Sequence, residues 1–160
     1  MRLLFKQRMF SWFDSYDIYD EAGNTVYTVK GQLSWGHCLK IFDSCGKEVG
    51  TVKERVFTFL HPKFDVYVGE NSENYVGSIS KRFTFFKPVF DIDFCGWTVE
   101  GDDFFGFDYT ITDADGRAVA YLSKQLFKWT DTYVIDITEF GDPLTVLMFA
   151  LAMDAEKCSS

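Results

Sequence analysis

One phrase recurs along the chain: Tyr16-Asp-Ile18-Tyr-Asp20-Glu-Ala-Gly23, Leu39-Lys-Ile41-Phe-Asp43-Ser-Cys-Gly46 and Tyr109-Thr-Ile111-Thr-Asp113-Ala-Asp-Gly116. Weaker copies begin at Phe64, Phe90 and Tyr133, so successive copies start 23, 25, 26, 19 and 24 residues apart. A strand pair with its turns fills such a spacing, which predicts one hairpin-sized unit per copy. Within each copy positions 16/18, 39/41, 64/66, 90/92, 109/111 and 133/135 are apolar, whereas 17, 40, 65, 91 and 110 are polar. That period of two is the signature of a half-buried strand.

The Asp-x-x-Gly that closes three of these strands suits a tight turn. Asp bonds its own backbone two residues on, and Gly accepts positive φ without a Cβ clash. A second strand follows each turn, in Val26…Val29-Lys30, Val49…Val52-Lys53, Val76…Ile79-Ser-Lys81 and Val119…Leu122-Ser-Lys124, with an apolar spacing of three that predicts a bulge or bend. Aromatic residues come next, as in Phe57-Thr-Phe59 and Phe127-Lys-Trp129, and Phe10-Ser-Trp12 has the same form. The chain therefore opens on a second-type strand, giving six of each type. Twelve antiparallel strands hide their edges most simply by closing into a barrel.

The last element differs in kind. Asp142-Pro143 offers an N-cap with proline at the first helical position, and Leu144 to Met153 is apolar apart from Thr145. A helix apolar on every face is buried, and this one is too short to span a bilayer, so the economical arrangement threads it through the barrel. The predicted fold is all-β with one buried helix: a single domain over 1–160, with strands at about 2–140 and the core helix at about 143–157.

Composition narrows the function classes. A chain of 160 residues buries roughly 70% of the surface its unfolded form exposes, enough for one core and no second domain. Its 16 basic residues against 24 acidic ones give a net charge of −8, which opposes non-specific binding of nucleic acid or of bulk anionic membrane and still allows a local basic patch. Cys38, Cys45, Cys95 and Cys158 form no C-x-x-C pair and no disulfide framework, and read as thiols of a reducing compartment. The apolar run at Leu3-Leu4-Phe5 breaks too soon for a signal peptide, and no run is long enough for a transmembrane segment. The expected location is cytoplasmic.

The order of Phe5-Lys-Gln-Arg-Met-Phe10-Ser-Trp12, Tyr16-Asp-Ile-Tyr-Asp20, Phe86-Lys-Pro88, Gly96-Trp97, Gly101-Asp102, Phe104-Phe-Gly106 and Asp131-Thr-Tyr-Val-Ile-Asp136 resembles the LURP-one-related family. That family sits in the tubby C-terminal-like superfamily with phospholipid scramblases. The resemblance covers roughly residues 2 to 157 and implies a twelve-stranded antiparallel barrel around an apolar C-terminal helix. It implies no reaction: the bacterial and plant relatives have none assigned, and some of the plant ones are linked to defence. Tubby proteins bind phosphoinositides through Lys and Arg on neighbouring strands, positions with no residue-by-residue match here. Scramblases add a Pro-rich N-terminus, acylated cysteines and a membrane-inserting helix, and this chain departs from them on each point.

Candidate chemistry is sparse. His37 and His61 lack a second ligand at a metal spacing and read as structural. The acidic run Gly101-Asp-Asp-Phe-Phe-Gly106-Phe-Asp108 lacks the spacing of a calcium loop and reads as a turn between aromatic strands. No catalytic residue, metal or cofactor is assigned, and the chain is read as a non-enzyme. The remaining signal is lysine at one place in the repeat: Lys30, Lys53, Lys81 and Lys124, with Arg55, Arg82 and Lys128 nearby. Equivalent repeat positions reach similar heights on a barrel, so Lys81, Arg82, Lys124 and Lys128 are the candidate ligand-binding residues, on the outer surface, for an anionic phosphoinositide-like lipid headgroup. Lys30 and Lys53 follow the apolar marker by one residue and Lys81 and Lys124 by two, which points the two pairs to opposite faces. The bland alternative is lysine guarding strand edges. The alternative function is a structural or regulatory protein-interaction domain with no lipid ligand, using Trp12, Trp35 or Trp129 against a protein partner.

Overall fold

The computed structural model describes residues 1–7, 15–32, 34–56, 62–101, 108–125 and 131–159. Among these the strands are β1 (Arg2–Gln7), β2 (Ser15–Tyr19), β3 (Thr25–Gly31), β4 (Cys38–Asp43), β5 (Glu48–Glu54) and β6 (Lys63–Val68), then β7 (Asn74–Lys81), β8 (Val89–Ile92), β9 (Trp97–Gly101), β10 (Asp108–Thr112), β11 (Ala118–Gln125) and β12 (Asp131–Ile137). A single 3-10 turn, Glu70–Ser72, precedes β7, and the helix α1 (Pro143–Ser159) ends the chain. Every strand pairs antiparallel with its sequence neighbours, and β1 closes the barrel on β12 from Arg2↔Asp136 to Gln7↔Asp131. The predicted twelve-stranded barrel and its helix are therefore what the chain forms.

The turns follow the predicted chemistry. Asp20, Asp43 and Asp113 accept through their carbonyls from the N–H groups of Gly23, Gly46 and Gly116 at 3.1, 2.9 and 3.0 Å, and those glycines adopt φ of 85°, 82° and 78°. The Asp43 carboxylate also accepts from the N–H groups of Cys45 and Lys47, and that of Asp113 from Asp115 and Arg117, all at 2.9 Å.

The apolar spacing of three also has a concrete cause. Ile18 pairs with Tyr27 but Tyr19 with Thr25, leaving Val26 unpaired, and the same slip leaves out Val49, Val76 and Val119. Each is the valine that opens the apolar spacing of three in its second strand. The extra residue is a β-bulge, and beyond it the alternation resumes with Val29, Val52, Ile79 and Leu122 buried.

Helix α1 opens as its sequence predicts, with the Asp142 carboxylate accepting from the Thr145 N–H at 2.8 Å. Eight consecutive residues, Val146 to Met153, are all at most 1% exposed. At 3.6 residues per turn such a run points in every direction, so the helix has walls all round. Those walls are the inward rows of the strands: Phe149 meets Phe90 and Tyr109 edge-on at 5.4 and 6.3 Å between ring centroids. The Met148 side chain presses against the backbone of β5, where a Cβ on Gly50 would lie 2.1 Å from its Cε. Phe149→Ala should therefore lower the unfolding free energy by about 3–5 kcal/mol in urea titration. A loss near 0.5 kcal/mol, the size of a surface substitution, would contradict a core position.

Candidate functional site

Closure gives the barrel two unlike ends. In an all-antiparallel barrel the odd-numbered strands share one direction, so six connections, from β1–β2 to β11–β12, fall at the end where the odd strands finish. The tight turns occupy the other end. Helix α1 follows β12, so it enters at the turn end and finishes at the loop end. In sequence the loop-end connections (8–14, 32–37, 55–62, 82–88, 102–107, 126–130) hold five basic residues, Arg8, Arg55, Arg82, Lys87 and Lys128, against Asp14, Asp102 and Asp103, a net of +2. The turn-end connections (20–24, 44–47, 69–73, 93–96, 113–117, 138–142) hold nine acids against Lys47 and Arg117, a net of −7. The charge of −8 is thus unevenly distributed along the barrel axis.

The loop-end mouth is where the helix terminates, and two of the repeat lysines face it. Lys81 and Lys124 stand two residues beyond the buried Ile79 and Leu122, so the strand alternation turns them toward the lumen rather than onto the outer surface predicted for them. Lys81 Nζ lies 2.6 Å from Glu156 Oε1, on a helix carboxylate only 7% exposed. Lys124 Nζ sits 5.3 Å from the ring centroid of Tyr133, whose hydroxyl donates to Asp154 Oδ1 at 2.8 Å. Lys157 Nζ stands 5.3 Å from the Tyr109 ring centroid, in the last turn of the helix, where a cation complements the carbonyl dipoles. Three ammonium groups and two carboxylates therefore meet around the helix end.

The remaining predicted residues divide. Arg82 points outward, about half exposed, and forks onto the Asp91 carboxylate with its Nε 2.6 Å from Oδ2. Lys30 and Lys53 are exposed, on the face opposite Lys81 and Lys124 as the spacing predicted, and Lys30 lies 4.7 Å from the Phe42 ring centroid. Arg55 forks onto Asp65 at 2.8 and 2.9 Å. Lys128, Trp12, Trp129, His61 and the acids Asp102 and Asp103 lie outside the described residues. Trp35 is 86% exposed on the β3–β4 connection.

His37 fixes that connection. Its N–H donates to Glu54 Oε2 at 3.0 Å, and its Nε2 lies 3.6 Å from the same oxygen. Burial pushes the imidazole below its ordinary pKa, against a smaller upward pull from Glu54, so the ring favours the neutral form of a structural histidine. Burial likewise pushes the Cys95 thiol up to about 11, which makes it a poor nucleophile at neutral pH. Among the described residues no three His, Cys, Asp or Glu gather as metal ligands, and no helix is long and apolar enough to cross a membrane.

Sequence reasoning passed over Asp154, Glu156 and Lys157. Their signal is the switch from apolar to charged residues at Asp154, which marks where the helix leaves the core.

Comparison with known proteins agrees with this architecture. A Bacillus subtilis (strain 168) protein, the uncharacterized protein YxjI, is 29% identical over 155 residues, covering 96% of this chain and 92% of its own length. An X-ray structure of a protein from Arabidopsis thaliana superposes with a TM-score of 0.59 at 13% identity, covering 99% of this chain and 92% of that one, a likeness of fold. The family model described as LURP-one-related matches residues 1–154, and the chain belongs to the LURP-one-related family.

Proposed function

We propose that the chain is a non-enzymatic binding module that takes an anionic, phosphoinositide-like lipid headgroup at the loop end of the barrel, with Lys81, Arg82, Lys124 and Lys128 as its cationic contacts. The supporting observation is the charge polarity: the loop-end connections are net +2 and the turn-end connections −7, so an anionic surface attracts one end and repels the other. The LURP-one-related resemblance sets the chain beside tubby domains, which bind phosphoinositides, but the basic strand residues that do so there have no residue-by-residue match here. A cytoplasmic setting follows, since the anionic leaflet faces that compartment.

The chemistry is exchange of partners. Lys81 and Arg82 already hold carboxylates, and a phosphate group with more charge and more acceptor oxygens competes for the same ammonium and guanidinium donors. Glu156 is then the internal competitor. A second reading, a protein-interaction domain without a lipid ligand, draws support from the exposure of Trp35.

Co-sedimentation with vesicles carrying phosphorylated inositol lipids separates these readings. At about 1 kcal/mol per basic residue at an anionic surface, changing Lys81, Arg82, Lys124 and Lys128 together to Gln should weaken binding roughly a hundredfold or more. Glu156→Gln, which releases Lys81, should strengthen it. Absence of binding at both low and near-physiological salt would overturn the lipid reading, and salt-resistant capture of a protein would favour the second.

A further inference from the structure

Phe and Trp are distributed as unevenly as charge. Fourteen of the chain's 22 Phe and Trp residues lie in the six loop-end connections, which comprise 39 residues, whereas the turn-end connections hold only Phe94 and Phe140 in 28. Where the structure describes these loop-end aromatics they are outside the core: Trp35 is 86% exposed, Phe83 68%, Phe85 80% and Phe86 83%. Single exposed apolar residues are ordinary in folded proteins, but three large ones on a seven-residue connection are not.

The β7–β8 connection is built to hold them there. The Arg82 N–H donates to the Val89 carbonyl at 2.8 Å, and the Thr84 hydroxyl donates to the Lys87 carbonyl, so the loop satisfies backbone groups internally. Phe83 and Phe85 meet edge to face at 5.2 Å between centroids. Arg82 and the exposed Lys87 bracket the aromatics in the order Arg-Phe-Thr-Phe-Phe-Lys. Aromatic rings flanked by Arg and Lys suit the boundary of a bilayer, where rings enter the acyl region and cations stay with the phosphates.

We infer that the loop end is a membrane-insertion rim: Trp35, Phe83, Phe85 and Phe86 bury their rings in the interfacial layer of an anionic phospholipid bilayer. This rests on the headgroup reading for its orientation and adds the apolar contribution that the lysines cannot supply. Charge and apolar complementarity together select this occupant over a second copy of the chain, because a turn end matches the loop end in charge but offers its rings no hydrocarbon. Two loop ends facing each other set +2 against +2, and a loop end on a turn end sets aromatic rings against a surface of carboxylates. A bilayer offers phosphate to the cations and hydrocarbon to the rings.

The test compares wild type, the pair Phe85→Ser and Phe86→Ser, and the fourfold Gln variant on phosphatidylcholine–phosphatidylserine vesicles at low and high salt. Wild type should keep part of its binding at high salt, because insertion, unlike headgroup attraction, is not screened. The serine pair should lose that salt-resistant part, with affinity down about tenfold or more, while its thermal unfolding stays unchanged. Brominated acyl chains should quench wild-type tryptophan emission, and less so after Trp35→Phe. Serine variants that bind like wild type would overturn insertion and leave the headgroup reading intact. Loss in the serine pair with none in the Gln variant would sink the headgroup reading and keep insertion. Wild type that ignores bilayers and sediments as a dimer, dissociated by the serine pair, would overturn insertion and assign the rim to a second copy.

Discussion

The structure depends on a helix with no exposed face. An apolar run from Val146 to Met153 must be covered in every direction, and no single sheet or helix covers a cylinder. A closed sheet does. The inward rows of the strands, including Phe90 and Tyr109, supply one half of a core whose other half is the helix itself. The interior of a barrel this wide is not filled by strand side chains alone, so sheet and helix each answer the other's packing requirement.

Closure around a helix then fixes what each end of the barrel can be. The turn end must return the chain in a few residues, and Asp-x-x-Gly does so with the acid bonded to its own backbone, which leaves that end acidic. The loop end receives the longer connections and the helix C-terminus. There the first residues past the apolar run, Asp154, Glu156 and Lys157, find partners in Tyr133, Lys81 and the Tyr109 ring. The same constraint that buries the helix thus gathers charge at its exit, and the geometry of turns separates acidic from basic and aromatic chain ends.

Much of this was legible in the sequence. The period-two strands, the turns at Asp20, Asp43 and Asp113, the bulges and the helix cap at Asp142 are local, each set by a few neighbouring residues. The spacing of lysine from its apolar marker also told correctly that Lys30 and Lys81 face opposite ways. With that marker buried, the alternation also implies that Lys81 and Lys124 face inward, two residues past Ile79 and Leu122; what the spacing does not show is the helix carboxylate that meets Lys81 there. The Lys81–Glu156 pair joins residues 75 apart, and only the threading of the helix makes them neighbours. The opposition of charge and aromatics along the axis is written in the connections, yet it has no meaning until closure assigns each connection an end.

Amide hydrogen exchange of the native protein tests the central claim, that helix and barrel are one cooperative unit. The amides of Val146 to Met153 should exchange only through global unfolding, with the same free energy and denaturant dependence as the slowest amides of β4, β6 and β11. Helix amides that exchange through a cheaper opening, with the barrel strands still protected, would contradict it.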